Sequence, residues 1–118
     1  MIRALTGDRD PLVRAAALTA FAAIGAADED AADLAGALTQ SAWQVRVGAA
    51  RGLAGAAPEA AVPPLVRALS DPHLDVRKAA VLALARWPEH PGAHDGLTSA
   101  TADTDADVRA YARRAVTA

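Results

Sequence analysis

The sequence predicts an all-α solenoid of about four helix-pair repeats, and three observations carry that prediction. Four copies of the dipeptide Val-Arg recur at an even spacing, and their arginines, Arg14, Arg46, Arg77 and Arg109, lie 32, 31 and 32 residues apart. Alanine, which has the best helix propensity, supplies 34 of the 118 residues. Aromatic residues make up only 3% of the chain, so the helices must pack through small side chains. A short, even period with helical composition is typical of stacked helix pairs.

The surroundings of the four arginines repeat in register. Each arginine has a polar residue, mostly Asp, six positions before it and an alanine three positions after it. The members of these two columns are Asp8, Gln40, Asp71 and Asp103, and Ala17, Ala49, Ala80 and Ala112. Because each column keeps one chemical character, the units are expected to share one structure.

The second helix of each unit carries the Val-Arg dipeptide. Apolar residues at −1, +3, +6, +7 and +10 from the arginine fall on one helical face. Start signals are the acid before proline in Asp71-Pro72 and the capping-box patterns that begin at Ser41 and Thr104. These signals place the second helices near 11–25, 43–56, 73–87 and 105–117.

A shorter first helix precedes the second in each unit. Leucines and valines at helical spacing place these helices near 29–39, 61–70 and 93–101, with Pro63 and Pro64 tolerated only in a first turn. We therefore predict one repeat domain over 1–118. Its repeats are expected at about 1–26, 27–57, 58–89 and 90–118, with the first and last incomplete.

Composition excludes several classes of protein. The chain has no cysteine, which excludes disulfides and thiolate metal sites and is typical of a reducing compartment. No apolar run approaches the roughly 18 residues of a membrane span, and no signal peptide follows Met1. We expect a cytoplasmic protein without a membrane partner. The net charge of −2 argues against a dedicated nucleic-acid binder.

The segment 69–80, LSDPHLDVRKAA, resembles the repeat of the HEAT family, especially the short bacterial type called HEAT-like or phycobilisome-lyase-type. The resemblance covers essentially the whole chain and implies a right-handed α-solenoid, the HEAT-like superhelix. It says little about function, because such repeats serve many tasks. The chain departs from the pattern at Gln40, which replaces the loop Asp, and at Gly48 and Gly52 inside a helix.

The resemblance also implies a structural role for the arginines, since in HEAT repeats the arginine typically meets the loop Asp of a neighbouring unit. We call this set the ladder; it consists of Asp8, Arg14, Gln40, Arg46, Asp71, Arg77, Asp103 and Arg109. The alternative is a row of arginines that binds anions. The ladder is favoured because the acids repeat in step with the arginines, and a planar guanidinium suits bidentate carboxylate pairing.

The second helices also carry the candidate partner-binding residues. The resemblance places these helices on the concave side, and positions +1 and +5 from each arginine point away from the packed face by helical phase. Together with a tryptophan in the first helical turn, the candidates are Trp43, Val47, Arg51, Lys78, Leu82 and Arg114. The alternatives are an ordinary solvated face and, for Trp43, a cover over the adjacent loop. Trp87 is expected in the core, and Tyr111 over the open end of the stack.

No catalytic, cofactor-binding or metal-binding residues are predicted. The pair His90 and His94 has metal-ligand spacing, but Pro91 and Gly92 lie between them, so we expect a loop rather than a chelating helix. No glycine-rich phosphate loop and no nucleophile motif occurs. An enzyme would need at least one group of catalytic side chains that departs from the repeating pattern, and the sequence shows none.

The sequence therefore predicts a non-catalytic scaffold for protein–protein interaction, whose partner is a protein or an acidic peptide. Two alternatives remain open: a nucleic-acid-binding HEAT-like module, and an accessory or lyase-type HEAT domain that handles a bilin. The Ala-rich ends indicate an edge-to-edge oligomer or a part of a longer chain. The composition, rich in Ala and Arg and poor in Lys, resembles that of proteins from high-GC bacteria.

Overall fold

The computed structural model describes residues 28–117, and in that range the chain forms six α-helices and no strand. They are α1 (Asp28–Ala37), α2 (Trp43–Leu53), α3 (Pro58–Ala68), α4 (Leu74–Leu84), α5 (Pro91–Ala100) and α6 (Ala106–Thr117). The predicted helix near 11–25 and the ladder residues Asp8 and Arg14 lie outside the described residues. None of the six helices is long and apolar enough to cross a membrane.

The six helices form three pairs that stack in two layers. Within each pair, α1 packs on α2, α3 on α4 and α5 on α6. Successive first helices, α1, α3 and α5, pack on one another in one layer, and successive second helices, α2, α4 and α6, form the other. This architecture is the all-α solenoid that the spacing of the arginines predicts.

The core between the layers is made of the residues that repeat in the sequence. The valine before each arginine and the alanine three positions after it are fully buried in all three described units: Val45, Val76, Val108, Ala49, Ala80 and Ala112. Leucines from both layers fill the remaining space, and no polar or charged residue within 31–117 is fully buried. The helices can therefore approach closely because alanine occupies the contact positions.

Two second helices end earlier than the periodicity predicts. Helix α2 ends at Leu53 and α4 at Leu84, rather than near 56 and 87. The chain then tightens into turns, in which the Ala56 N–H donates to the Leu53 carbonyl and the Trp87 N–H to the Leu84 carbonyl, both at 3.0 Å. Ala56 is buried, and Trp87 packs against the core, as predicted for Trp87. The apolar pattern therefore continues for about one turn beyond the end of each α-helix.

Helix α4 is capped by a histidine, although the sequence predicts Asp71 as the cap. Asp71 Oδ1 instead accepts from the backbone N–H of His73 at 2.8 Å. His73 is the N-cap, and its Nδ1 accepts from the N–H of Asp75 at 3.1 Å. Asp71 is unavailable as a cap because its carboxylate already closes the preceding turn and binds an arginine.

The cap residues predicted by the two capping-box patterns, Ser41 and Thr104, are also wrong. Helix α2 begins after Ala42, which has no side-chain acceptor, so Ser41 does not cap it. At α6 the cap is Asp105 rather than Thr104, because Asp105 Oδ1 accepts from the N–H groups of Asp107 at 2.9 Å and Val108 at 3.0 Å. A short carboxylate at the adjacent position satisfies both backbone donors.

Pro63 and Pro64 lie in the interior of α3, and the expectation that they occupy its first turn is wrong. The helix begins at Pro58, whose missing N–H costs nothing at that position. The later prolines leave the carbonyls of Glu59 and Ala60 without their usual helical donors. The helix continues because residues on both sides of the prolines, including Val62 and Leu65, are buried in the core.

Gly96 allows α5 to approach α3 closely. A Cβ at this position would lie 3.1 Å from Leu69 Cδ1 and 3.2 Å from Val66 Cγ2. Gly36 in α1 contrasts with it, because a Cβ there would meet nothing within 4 Å. The spacing between α3 and α5 is therefore set by a position that has no side chain.

The ladder joins consecutive units through bidentate ion pairs. Arg46 donates from Nε to Asp71 Oδ2 at 2.8 Å and from Nη2 to Asp71 Oδ1 at 3.1 Å. Its Nη1 donates to the backbone carbonyls of Gln40 and Ser41, both at 2.9 Å. The two side chains are only 13% and 10% exposed, so the pair is largely shielded from solvent. One arginine thus donates hydrogen bonds to the loop of its own unit and forms an ion pair with the loop of the next unit.

Arg77 repeats this arrangement at the next joint. Its Nε and Nη2 donate to Asp103 Oδ2 at 3.0 Å and Oδ1 at 3.4 Å, and its Nη1 to the carbonyls of Asp71 at 2.9 Å and Pro72 at 3.3 Å. Arg109 donates to the carbonyls of its own loop, Asp103 at 2.9 Å and Thr104 at 3.1 Å, and meets no carboxylate within residues 28–117. The ion pair and the loop bonds are therefore separable contributions.

Removing Arg77 is expected to destabilise the protein more than removing Arg109. Arg77→Ala leaves Asp103 without its ion partner and should cost about 3 kcal/mol of unfolding free energy. Arg109→Ala removes only bonds to the loop and should cost about 1 kcal/mol. Urea unfolding followed by circular dichroism measures both. Equal losses in the two variants would contradict a stabilising role for the inter-unit ion pair.

Filling the space at Gly96 is expected to force α3 and α5 apart. Gly96→Val should lower the unfolding free energy by about 2 kcal/mol, because its methyl groups extend beyond an already tight Cβ position. The control Gly36→Ala should raise it by roughly 0.5 kcal/mol, since alanine favours the helix and the site is open. Thermal melts of the two variants test the pair, and a Gly96→Val protein as stable as wild type would refute the close approach.

Candidate partner-binding groove

A groove runs between the second helices α2 and α4. Its volume is about 410 Å³, and both walls are helix faces. It is lined by Trp43, Gln44, Val47 and Arg51 from α2 and by Asp75, Lys78, Ala79 and Leu82 from α4. The spacing of these positions is that of one face of each helix, so the repeat itself, which sets α4 beside α2, creates the groove.

The floor of the groove is apolar and shallow. Val47 is 9% exposed and Ala79 5% exposed, so both contribute surface without projecting from it. Leu82 projects from the α4 wall and is 55% exposed. A partner could bury Leu82 and approach the helix backbones closely over the two small residues.

Exposed large apolar side chains in the described range are confined to these two helices. They are Trp43 at 37%, Leu74 at 40% and Leu82 at 55% exposed. Trp43 and Leu82 line the groove, whereas Leu74, in the first turn of α4, does not. Grouped exposed apolar side chains mark interaction sites more often than scattered ones do.

Trp43 is held in place by the histidine that caps α4. The rings of Trp43 and His73 stack with centroids 4.1 Å apart and planes inclined by 11°. The same imidazole accepts the Asp75 N–H through Nδ1. One side chain therefore caps α4 and stacks on the indole at the end of the groove.

The two basic side chains of the groove differ in whether they already have a partner. Arg51 is exposed and makes no hydrogen bond or ion pair within the described part of the chain. Lys78 is already engaged, because its Nζ lies 3.6 Å from Asp107 Oδ2 and 5.9 Å from the centre of the Tyr111 ring. Asp75 lies at the opposite end from Arg51, in the first turn of α4. The groove is thus acidic at its Trp43 end and basic at its Arg51 end.

Comparison with known proteins decides the family. The family model for HEAT repeats matches residues 31–117, which covers most of the chain and all three described helix pairs. The chain belongs to the HEAT repeat family. No match was found among curated proteins. Membership agrees with the expected fold and with the ion pairs between units.

The fold of this chain is similar to that of one solved structure, which is an engineered protein. The crystal structure of an engineered protein matches this chain with a TM-score of 0.69 at 24% sequence identity. The match covers 97% of this chain but only 59% of the engineered protein. The likeness therefore concerns the fold alone.

The structure brings most of the candidate partner-binding residues of this HEAT domain together. Trp43, Val47, Arg51, Lys78 and Leu82 line the groove, but Arg114 on α6 does not. Val47 was expected to point away from the packed face; it is instead buried in the floor, because α4 packs against α2 on that side. The α6 position of Arg114 places it on the next second helix, beyond the groove wall.

The ladder residues of the described units lie at the joints rather than in the groove. Arg46 pairs with Asp71, and Arg77 with Asp103. Gln40 is exposed, and its backbone carbonyl accepts a hydrogen bond from Arg46. The expected partner of Gln40 in the ladder, Arg14, lies outside the described residues. Neither Arg46 nor Arg77 is an open anion site, because each guanidinium already holds a carboxylate.

Of the histidine pair that the sequence left without a role, His90 is a helix cap. His90 Nδ1 accepts from the N–H groups of Gly92 at 3.2 Å and Ala93 at 3.4 Å. The expectation of a loop from His90 to His94 is wrong, because Pro91 occupies the first position of α5 and His94 lies within that helix. Residues 31–117 contain no group of three or more His, Asp or Glu side chains that could hold a metal ion.

Sequence reasoning missed three groove residues and the partner of Trp43. Gln44, Asp75 and Ala79 line the groove, and His73 stacks on the indole. The signal for Asp75 and Ala79 was their helical spacing from Lys78 and Leu82, which places them on one face of α4. His73 gave no signal, because it lies in a loop of a different unit from Trp43.

Two substitutions at His73 are expected to separate its capping and stacking roles. In a Trp87→Phe background, so that Trp43 is the sole indole, His73→Asn keeps a cap acceptor but removes the ring. Its stability should stay close to wild type while the Trp43 emission shifts to the red. His73→Phe should keep the emission and lose about 1 kcal/mol of stability. If both variants leave the Trp43 emission unchanged, the stacked arrangement is wrong.

Proposed function

We propose that this HEAT repeat chain is a non-catalytic scaffold that binds a partner protein through the groove between α2 and α4. The observation that carries the proposal is the position of Trp43 and Leu82, two exposed apolar side chains that line one groove together with Arg51, a cation without a partner among residues 28–117. Tryptophan and arginine are the residues most enriched among side chains that dominate binding energy at interfaces.

The engagement of the ionisable side chains supports binding over catalysis. Asp71 and Asp103 are held by arginines, and His73 and His90 serve as helix caps. General acid or base catalysis would need such a group aimed at a bound substrate. In the groove the acid is Asp75, whose backbone N–H and carboxylate both lie beside His73.

The charge pattern favours a protein over a nucleic acid. Phosphate backbones are bound by rows of Lys and Arg that are free to displace counterions. Here Asp75 lies in the groove, and Asp107 lies beside Lys78. Arg51 is the remaining groove cation, and a single cation suits recognition of an acidic side chain on a protein surface.

The proposal is tested by capture from a lysate of the source cells with two pairs of variants. Leu82→Ala removes an exposed leucine that lines the groove, and Leu74→Ala removes one that does not. Arg51→Ala and Arg113→Ala do the same for exposed arginines. Partners bound by wild type should be reduced about tenfold by each groove variant, which corresponds to 1.4 kcal/mol, and kept by each control. Quantitative mass spectrometry of the captured proteins measures the ratio.

Two results would overturn the proposed surface. Equal capture by the groove variants and their controls would show that binding occurs elsewhere on the molecule. Capture dominated by nucleic acid, lost with nuclease and steeply weakened by salt, would replace protein recognition by phosphate recognition.

A further inference from the structure

We infer that the segment bound in the groove is an amphipathic α-helix of the partner, with apolar side chains along one face and acidic side chains at one end. This inference rests on the proposed function and deepens it, because it names the chemistry of the partner. The supporting observations are the offset between the two exposed apolar side chains of the groove, the small residues of its floor, the helical backbone of its walls and the position of its charges.

Counted along their helices, the two apolar side chains of the groove are offset by about two helical turns. Trp43 begins α2, and Leu82 lies eight residues after Leu74, the first residue of α4. Since Trp43 stacks on the cap of α4, the two helices begin at the same end of the groove. Eight residues of helix advance about 12 Å, so a partner helix can contact both side chains with residues i and i+7 or i+8.

The shallow floor of the groove can accept the convex surface of a helix. Between the two projecting side chains the groove is bounded by Val47 and Ala79, which are buried and small. A ridge of apolar side chains at i+3 and i+4 of a partner helix can occupy this depression, as ridges occupy grooves between packed helices.

The groove offers little for an extended peptide. Both walls are helices, whose backbone N–H and C=O groups bond within the helix, and Gln44 is the one lining side chain with an amide. An extended segment would bury backbone groups without partners, whereas a helix satisfies its own. The occupant is therefore helical.

The charges set where the acids of the partner lie. Arg51 is near the C-terminal end of α2, level with Leu82, and has no competing acid within the described residues. Lys78 can add a second contact, because its present partner Asp107 is 68% exposed and their nitrogen–oxygen distance is 3.6 Å. Asp75, at the Trp43 end, repels acids there. The acidic side chains belong beside the apolar residue that meets Leu82.

Three labelled synthetic peptides of about 16 residues, long enough to hold a helix, test the inference. The first has Leu at i, i+4 and i+7 in an Ala-rich background and two Glu beside the i+7 Leu. The second has Lys for Glu, and the third keeps the Glu residues but has two prolines in place of outward-facing alanines. Fluorescence anisotropy with the full chain should give the tightest binding for the first peptide, and about tenfold weaker binding for each of the others.

Variants of the protein localise the effect. Arg51→Glu should reverse the preference, so that the Lys peptide binds about tenfold more tightly than the Glu peptide. Leu82→Ala should weaken the Glu peptide, and Leu74→Ala should not. Equal affinity for the Glu and Lys peptides, or for the proline peptide, would overturn the inference. Absence of peptide binding together with groove-dependent capture from lysate would also overturn it, while leaving the proposed function intact.

Discussion

Each of the two joints between the described units depends on one arginine that binds two loops at once. The Nη1 group of Arg46 is fixed by carbonyls of the loop before its own helix, which orients the rest of the guanidinium outward. The Nε and Nη2 groups then meet the carboxylate of Asp71 in the next unit with a two-bond geometry. Because a bidentate pair has a single favoured orientation, it fixes the rotation of one unit on the next as well as their distance.

The groove is a consequence of that fixed rotation. Its walls are two successive second helices, and its Trp43 end is closed by His73, which follows Asp71 in the same loop. The ion pair at the joint, the cap of α4 and the contact with the indole are therefore linked through the short segment 71–73. If the groove binds a partner as proposed, walls and an indole that are already in position would reduce the entropy lost on association.

Much of the fold could be predicted from the sequence because the repeat imposes one solution on every unit. The even spacing of Val-Arg located the helix pairs, and helical phase located Arg51, Lys78 and Leu82 on one surface. Local chemistry was harder to predict. Helix starts depend on which of several adjacent polar side chains reaches the backbone, so His73 displaced Asp71 as a cap. Contacts between units, such as the stacked indole and imidazole, depend on tertiary distances that no single unit encodes.

The bond between each arginine and its own loop has a consequence for how such chains change in length. Arg109 adopts the same loop contacts as Arg46 and Arg77, although no carboxylate meets it among the described residues. Its orientation is thus prepared within its own unit, independently of a neighbour. Tandem duplication of a unit would place a new aspartate before an arginine already turned to receive it, so the array can lengthen in evolution without inventing a new interface.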